Sequence, residues 1–128
     1  MDPRLDPAFV DGLPEDVLVV EDDPIIALDF EDTISSFGVR SVRSAASVAR
    51  ALQLIAERTP NFALLDVGLV REKSFAIAER LEVLKIPFAF VTGYGADRVP
   101  KEFADRPRLP KPCSTEVLES VLRRALKA

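Results

Sequence analysis

The chain of 128 residues has room for one domain with a sizeable hydrophobic core. Its formal net charge of −4 argues against a basic binding surface, so we expect no nucleic-acid partner. Histidine is absent and Cys113 is the only cysteine, which excludes an internal disulfide, a cysteine-based zinc site and a histidine-dependent catalytic triad. The start of the chain does not read as a secretion signal and no apolar run is long enough for a membrane span, so we expect a cytoplasmic protein with no membrane partner.

The first 16 residues differ from the rest in composition, with five acidic residues and three prolines. We interpret residues 1–16 as an N-terminal extension and residues 17–128 as the domain itself. A free segment and a docked one are both compatible with this composition. We favour a partly docked segment, and the apolar residues available for packing are Leu5, Phe9, Val10 and Leu13.

The first strand and helix have the clearest signals. Residues 17–20 form a continuous apolar run, which is typical of a strand buried on both faces of a parallel sheet. Pro24 suits the first turn of a helix, with Asp23 as its N-cap and Gly38 at its end. One face of this predicted helix is apolar, and it carries Ile26, Phe30, Ile34 and Phe37.

The remainder of the chain repeats this alternation of strand and helix. Further strands are predicted at residues 39–43, 62–65, 87–91 and 108–109. Helices are predicted at 45–57, at 75–84 and after Ser114, with a short helix around 101–104 in the least regular stretch. Strand and helix thus alternate five times, which predicts an α/β fold with a five-stranded parallel sheet. The flavodoxin-like (βα)5 arrangement, with strand order 2-1-3-4-5, fits this number of units.

Polar residues stand at the ends of four of these strands. Glu21 and Asp22 follow the first strand, Asp66 ends the third, Thr92 ends the fourth and Lys111 follows the fifth. In such sheets the ligand site lies at the carboxyl ends of the strands. Clustered carboxylates repel one another unless a cation joins them, and Mg²⁺ prefers oxygen ligands of this kind. An aspartate can also attack phosphorus and form an acyl phosphate, whose developing charge Mg²⁺, an ammonium and a hydroxyl would stabilise.

Each of these residues alone is a weak signal. Acids after a strand usually belong to a helix cap and a solvated turn, and we interpret Asp23 in that way. A single lysine is usually a surface charge. All of these residues together, in this order and at the ends of these strands, are improbable as a chance arrangement. The combination therefore favours a site for phosphoryl transfer.

The chain resembles the receiver domain family of two-component signalling. That family has an acidic pair after the first strand, a phosphoacceptor Asp after the third, Thr or Ser after the fourth and Lys-Pro after the fifth. Here the motifs read Val-Leu-Val-Val-Glu-Asp-Asp at 17–23, Leu-Leu-Asp at 64–66, Val-Thr-Gly at 91–93 and Lys-Pro at 111–112. The resemblance covers residues 17–127.

The resemblance implies a role for each site residue. Glu21 and Asp22 would serve Mg²⁺, with Asp22 as a direct ligand, and the Gly68 carbonyl would complete the metal site beside Asp66. Asp66 would accept the phosphoryl group. The residues that would contact the phosphoryl oxygens are Thr92 and Lys111.

The resemblance also implies the partners. The donor would be a histidine kinase or a histidine phosphotransfer protein. Phosphorylation would be read by an unidentified downstream protein, or the chain would act as a phosphate relay or sink; a homodimer is left open. The chain ends just after the last predicted helix, so we expect no output domain, and we expect no enzymatic activity beyond its own phosphorylation and dephosphorylation.

Several positions depart from the common receiver pattern. Val70 and Ser74 replace a frequent Pro and Gly, and Arg108 stands where many receivers have an aromatic residue that turns inward on activation. The run Phe-Val-Thr-Gly-Tyr-Gly at 90–95 is similar to the Phe-Ala-Thr-Gly motif of a group of small alphaproteobacterial single-domain receivers. Tyr94 is therefore predicted to take part in the switch, or else simply to cover the site.

Three other functions compete with this interpretation. An Asp-nucleophile phosphatase of the haloacid dehalogenase type needs a second Asp where Gly68 stands. A flavodoxin-like nucleotide binder needs a Gly- or Ser-rich loop after the first strand, whereas the three acids at 21–23 would repel phosphate. A degenerate receiver that serves only as an interaction module is disfavoured by the intact site residues, and it stays open.

Overall fold

The computed structural model of the protein describes residues 9–10, 12–69, 74–93 and 99–125. A five-stranded parallel sheet forms its centre. The strands are β1 Asp16–Val20, β2 Ser41–Ala45, β3 Phe62–Asp66, β4 Phe88–Thr92 and β5 Arg108–Pro110. Their order in the sheet, β2-β1-β3-β4-β5, confirms the predicted flavodoxin-like fold.

Helices cover both faces of the sheet. They are α1 Pro24–Ser36, α2 Val48–Glu57, α3 Phe75–Val83 and α4 Thr115–Arg124, with a 3-10 helix at Lys101–Phe103. Buried residues of α1 and α4 share one hydrophobic cluster on one face of the sheet, and those of α2 and α3 share a second cluster on the other face. The two-faced burial explains why β1 and β3, at the centre, are apolar along nearly their whole length.

Alternate residues of β1 point to opposite faces of the sheet. Val17 and Val19 belong to the cluster with α1 and α4, whereas Leu18 and Val20 belong to the cluster with α2 and α3. All four are at most 1% exposed. The central strands therefore hold the two halves of the core together and fix the position of the residues that follow them.

The first strand begins one residue earlier than predicted, at the charged residue Asp16. Its carboxylate lies 2.6 Å from Arg43 Nη2 and its backbone N–H donates to Asn61 Oδ1 at 2.9 Å. Arg58 Nε is 3.4 Å from the same carboxylate. The two arginines make it possible for a carboxylate to sit at 5% exposure within the sheet.

Two other boundaries differ from the sequence prediction. The second strand is at Ser41–Ala45 rather than 39–43, and α2 begins at Val48 rather than at 45. The Ser47 hydroxyl accepts a hydrogen bond from the Arg50 N–H at 3.1 Å, which sets the start of the helix. Val39 is buried although it lies outside the strand.

The N-terminal segment makes a small hairpin, in which Phe9–Val10 pairs antiparallel with Leu13–Pro14. Gly12 has φ +79° at its turn, a conformation that glycine adopts without strain. Leu13 is 1% exposed and shares a hydrophobic cluster with Leu122 of α4. At least this residue of the predicted extension is part of the core, whereas Leu5 lies outside the described residues.

The crossover between β4 and β5 contains the 3-10 helix, close to the predicted short helix at 101–104. Phe103 is 1% exposed, with its ring 5.8 Å from that of Phe88 and 6.0 Å from that of Phe90. Arg106 stacks on the Phe88 ring and forms an ion pair with Glu82 of α3. These contacts fix the second half of the crossover; Tyr94, at its beginning, lies outside the described residues.

In the part of the chain that the structure describes, no helix combines the length and the apolar composition needed to cross a bilayer.

Candidate functional site

The predicted acidic residues meet at the carboxyl edge of the sheet. Val20 and Leu65 are register partners on the neighbouring strands β1 and β3, so the residues that follow them, Glu21 and Asp66, are side by side. One carboxylate oxygen from each of Glu21, Asp22 and Asp66 lies within 4.8 Å of the others. Glu21 and Asp66 are 3% and 5% exposed, so two of the three acids are buried.

Lys111 joins two of these carboxylates. Its Nζ lies 2.6 Å from Glu21 Oε1 and 2.9 Å from Asp66 Oδ2. The backbone N–H of Lys111 donates to the Thr92 carbonyl at 2.9 Å, which places the lysine at the end of β5 beside β4. The peptide bond from Lys111 to Pro112 is cis. A residue that is distant in sequence thus supplies the positive charge at the centre of the site.

Backbone amides hold the other oxygen of each of these two carboxylates. The Gly68 N–H donates to Asp66 Oδ1 at 3.0 Å, and the Asp23 N–H donates to Glu21 Oε2 at 3.1 Å. Each acid therefore has one oxygen on an amide two residues later in the chain and one oxygen facing Lys111. This arrangement fixes the orientation of both carboxylates.

Burial raises the pKa of Glu21 to about 7, and the neighbouring Asp66 carboxylate adds to this rise. The nearby Lys111 ammonium acts in the opposite direction, because it favours the charged carboxylate. Burial also opposes the charged form of Lys111, but its contacts with Glu21 and Asp66 outweigh that effect and raise its pKa above the usual value. Lys111 therefore remains an ammonium at neutral pH.

The three acids suit a hard divalent cation. All the donor atoms of the cluster are carboxylate oxygens, which Mg²⁺ prefers, and the site opens into a solvent-accessible cavity of about 670 Å³. Glu21 Oε1 is buried and, within the residues described, has no well-aligned hydrogen bond, although the Lys111 ammonium lies close to it. One ammonium cannot neutralise three carboxylates, so the residues present fit Mg²⁺.

The two other predicted site residues, Gly68 and Thr92, differ in their position relative to the cavity. Gly68 lines it and is exposed, and the structure shows its N–H rather than its carbonyl in contact with Asp66. The Thr92 hydroxyl lies 3.5 Å from the Leu109 carbonyl oxygen, at the limit of a hydrogen bond, while the next residue, Gly93, lines the cavity. The proposed metal ligation by Gly68 and the phosphoryl contact of Thr92 stay predictions.

Two functional contacts were not predicted from the sequence. The backbone amides of Asp23 and Gly68 donate to the buried carboxylates of Glu21 and Asp66. The sequence signal for such bonds is an acid followed by a turn, in which the amide two residues later can reach back to the carboxylate.

The outer wall of the cavity is apolar, formed by Pro24, Ile25 and Ile26 at the start of α1. Ile25 is 79% exposed there.

Comparison with known proteins identifies the class. Residues 17–123 match the family described as the response regulator receiver domain, so the chain belongs to this family. The solution structure of SdrG from Sphingomonas melonis Fr1 is similar, with a TM-score of 0.80 and 37% identity. That match covers 93% of this chain and 100% of SdrG.

Two curated relatives are more distant. The phyllosphere-induced regulator PhyR of Methylorubrum extorquens is 27% identical over 120 residues, and the sensory transduction protein LytT of Enterococcus faecalis is 32% identical over 116 residues. Each match covers 87% of this chain but only 43% of PhyR and 48% of LytT. The chain therefore spans less than half the length of these relatives.

Proposed function

We propose that the protein is a response regulator that accepts a phosphoryl group on Asp66 and signals through protein contacts. One observation carries the proposal: the Asp66 carboxylate lies in an open cavity between the Lys111 ammonium, 2.9 Å away, and the carboxylates of Glu21 and Asp22. The solved BeF3-activated conformation of SdrG, which is 37% identical to this chain, supports this proposal.

The reaction needs a nucleophile and a means of stabilising negative charge. An Asp66 oxygen attacks phosphorus and forms an O–P bond, while the P–N bond to the histidine of the donor breaks and its electron pair returns to the imidazole nitrogen. Lys111 would neutralise charge on the phosphoryl oxygens, and the Thr92 hydroxyl would donate to them. Mg²⁺, held by Asp22 and Asp66 with Glu21 beside them and the Gly68 carbonyl as a further ligand, would supply further charge neutralisation when bound.

Phosphorylation would change the contacts of Lys111. The ammonium now contacts both Glu21 and Asp66, so a phosphoryl group on Asp66 would draw it away from Glu21. This movement would couple the chemistry at β3 to the end of β5, where Lys111 is located. The coupling offers a physical route from the acyl phosphate to the surface that a partner contacts.

The donor would be a histidine kinase or a histidine phosphotransfer protein, approaching over the apolar wall beside the cavity. The whole SdrG chain is covered by the match, which supports a regulator that works through a receiver alone. The output would then be a contact with a downstream protein, or the passing on or draining of phosphate. We place this activity in the cytoplasm and propose no separate substrate or enzymatic reaction.

The test is phosphorylation by a small donor. The full chain with Mg²⁺ should be modified by phosphoramidate or acetyl phosphate, detected by intact mass, and Asp66→Asn should abolish the modification because the nucleophilic carboxylate is gone. Asp32→Asn, which removes an exposed acid of α1, is the matched control and should be modified like the wild type.

Three outcomes are informative. Modification of Asp66→Asn at the wild-type level would refute Asp66 as the acceptor. A folded wild-type chain that reacts neither with small donors nor with histidine kinases would instead indicate a degenerate receiver that only binds partners. Modification that occurs only in the wild type and in Asp32→Asn would support the proposal.

A further inference from the structure

Asp23 has two separate contacts at the start of α1. Its side-chain Oδ1 accepts hydrogen bonds from the N–H groups of Ile25 at 2.9 Å and Ile26 at 3.3 Å, which makes it the helix N-cap. Its own backbone N–H donates to Glu21 Oε2 at 3.1 Å. One residue thus connects the start of the helix with a buried carboxylate of the site.

These two contacts depend on each other through the backbone of Asp23. An N-cap residue lies in the extended region, and Asp23 has φ −83° and ψ 115°. In this conformation its N–H points toward Glu21, while its side chain reaches forward to the helix. If the side-chain cap is lost, the first turn frays and the amide of residue 23 is no longer held toward Glu21.

The orientation of Glu21 matters because this carboxylate is buried and crowded. Oε2 accepts from the Asp23 amide, Oε1 lies 2.6 Å from Lys111 Nζ, and one of the two oxygens lies within 4.8 Å of carboxylate oxygens of the other two acids. If the Glu21 carboxylate could rotate freely, it would lose this arrangement. Cation binding would then have to order the side chain again, which would lower the affinity. Groups that orient the ligands of a metal typically change its affinity by about tenfold or more.

We propose that Asp23 is a positioning residue of the site: its side-chain cap holds the backbone amide that orients Glu21 toward the Mg²⁺-binding oxygens. The inference rests on the proposed function, since it takes Mg²⁺ as the ion of the site. Asp23 itself needs no contact with the metal or with phosphate. The negative charge of its side chain is not required, only its ability to accept hydrogen bonds from Ile25 and Ile26.

The test uses the full chain and Mg²⁺ alone, with binding followed by NMR titration of backbone amides. Asp23→Ala removes the cap and should weaken Mg²⁺ affinity by about tenfold. Asp23→Asn keeps a capping oxygen without the charge, and it should restore affinity to within about threefold of the wild type. Ser47→Ala removes the cap of α2, so it controls for a general loss of helix stability and should leave Mg²⁺ affinity unchanged.

A second measurement reads the orientation of Glu21 without metal. The side-chain carboxyl ¹³C signal of Glu21 in the metal-free protein should shift in Asp23→Ala and should stay close to the wild type in Asp23→Asn. If Asp23→Ala does not fold, Asp23→Gly replaces it, because glycine starts a helix at little cost but offers no side-chain acceptor.

The outcomes separate this inference from the proposed function. If Asn weakens Mg²⁺ binding as much as Ala does, the charge of Asp23 is responsible and positioning is refuted. Equal weakening in Ser47→Ala, or no change in Asp23→Ala, would also overturn it. A wild type that binds no Mg²⁺ would contradict the metal of the proposed function, while the Glu21 carboxyl signal would still decide whether Asp23 orients Glu21.

Discussion

Glu21→Gln should stabilise the metal-free protein at pH 8. The Glu21 side chain is buried at 3% exposure, and its pKa is raised from 4.5 to about 7 mainly by that burial. At pH values between 4.5 and about 7, Glu21 keeps its proton in the folded protein and loses it in the unfolded chain. The free energy of unfolding therefore falls as the pH rises from about 4.5 to 7, and the cost is complete above pH 7.

The size of the effect follows from the two pKa values. At about 1.4 kcal/mol for each unit between them, the ionised Glu21 lowers the stability by about 3 kcal/mol. Glutamine has the shape of the protonated acid and cannot ionise, so it avoids this cost. Since the raised pKa already includes the favourable contact with Lys111, we expect Glu21→Gln to gain about 2 to 3 kcal/mol at pH 8 and almost nothing at pH 4.5.

Urea denaturation in the presence of EDTA, at several pH values from 4.5 to 8, measures this difference. Glu57→Gln is the control, because Glu57 is exposed and forms a surface ion pair with Arg50 at 3.6 Å; its effect should stay within about 0.5 kcal/mol. The Mg²⁺ of the proposed function would stabilise the ionised wild-type site, so added Mg²⁺ should reduce the difference in stability between the variant and the wild type. A gain that is absent at pH 8, or that does not vary with pH, would refute the reasoning.

Two further predictions concern the scaffold. Lys85 has φ +59° just after α3, where its N–H and that of Ile86 donate to carbonyls of the last helical turn. Glycine adopts this left-handed conformation without strain, so Lys85→Gly should raise the free energy of unfolding by about 0.5 to 1 kcal/mol in urea denaturation. A loss of stability would show that Lys85 is not strained. Asp16→Asn should cost about 3 kcal/mol in the same assay, because it leaves the largely buried Arg43 guanidinium without its charged partner. Glu15→Gln, at an exposed pair, should cost less than about 0.5 kcal/mol, and an equal loss in both variants would contradict this account.

The structure bears on how a signal could leave the site. Arg108, which stands where many receivers have an inward-turning aromatic residue, is exposed on the edge strand β5. Phe90, two residues before Thr92, packs against the rings of Phe75, Phe88 and, from the crossover, Phe103. Phe103 and the ion pair of Arg106 tie residues 99–106 to β4 and α3. The predicted role of Tyr94 falls outside the described residues and stays a prediction.

Local patterns in the sequence were enough to predict the order of the elements and which acidic residues meet at the carboxyl edge of the sheet. Apolar runs indicated β1 and β3, because a strand buried on both faces is apolar at successive positions. The Asp-Pro pair at 23–24 indicated the start of α1, because helix capping depends on a few neighbouring residues. Parallel strands then place their ends at one edge. The meeting of Glu21, Asp22 and Asp66 could therefore be predicted.

Tertiary structure alone decided how those residues are arranged. Lys111 contacts Glu21 and Asp66 only because β5, β4, β3 and β1 align in register, and no local pattern encodes a 2.6 Å contact between residues so distant in the chain. The raised pKa of Glu21 depends on the burial that this assembly produces. The same is true of Leu13, whose place in the core depends on α4 at the far end of the chain, because burial is a property of packed surfaces rather than of sequence neighbours.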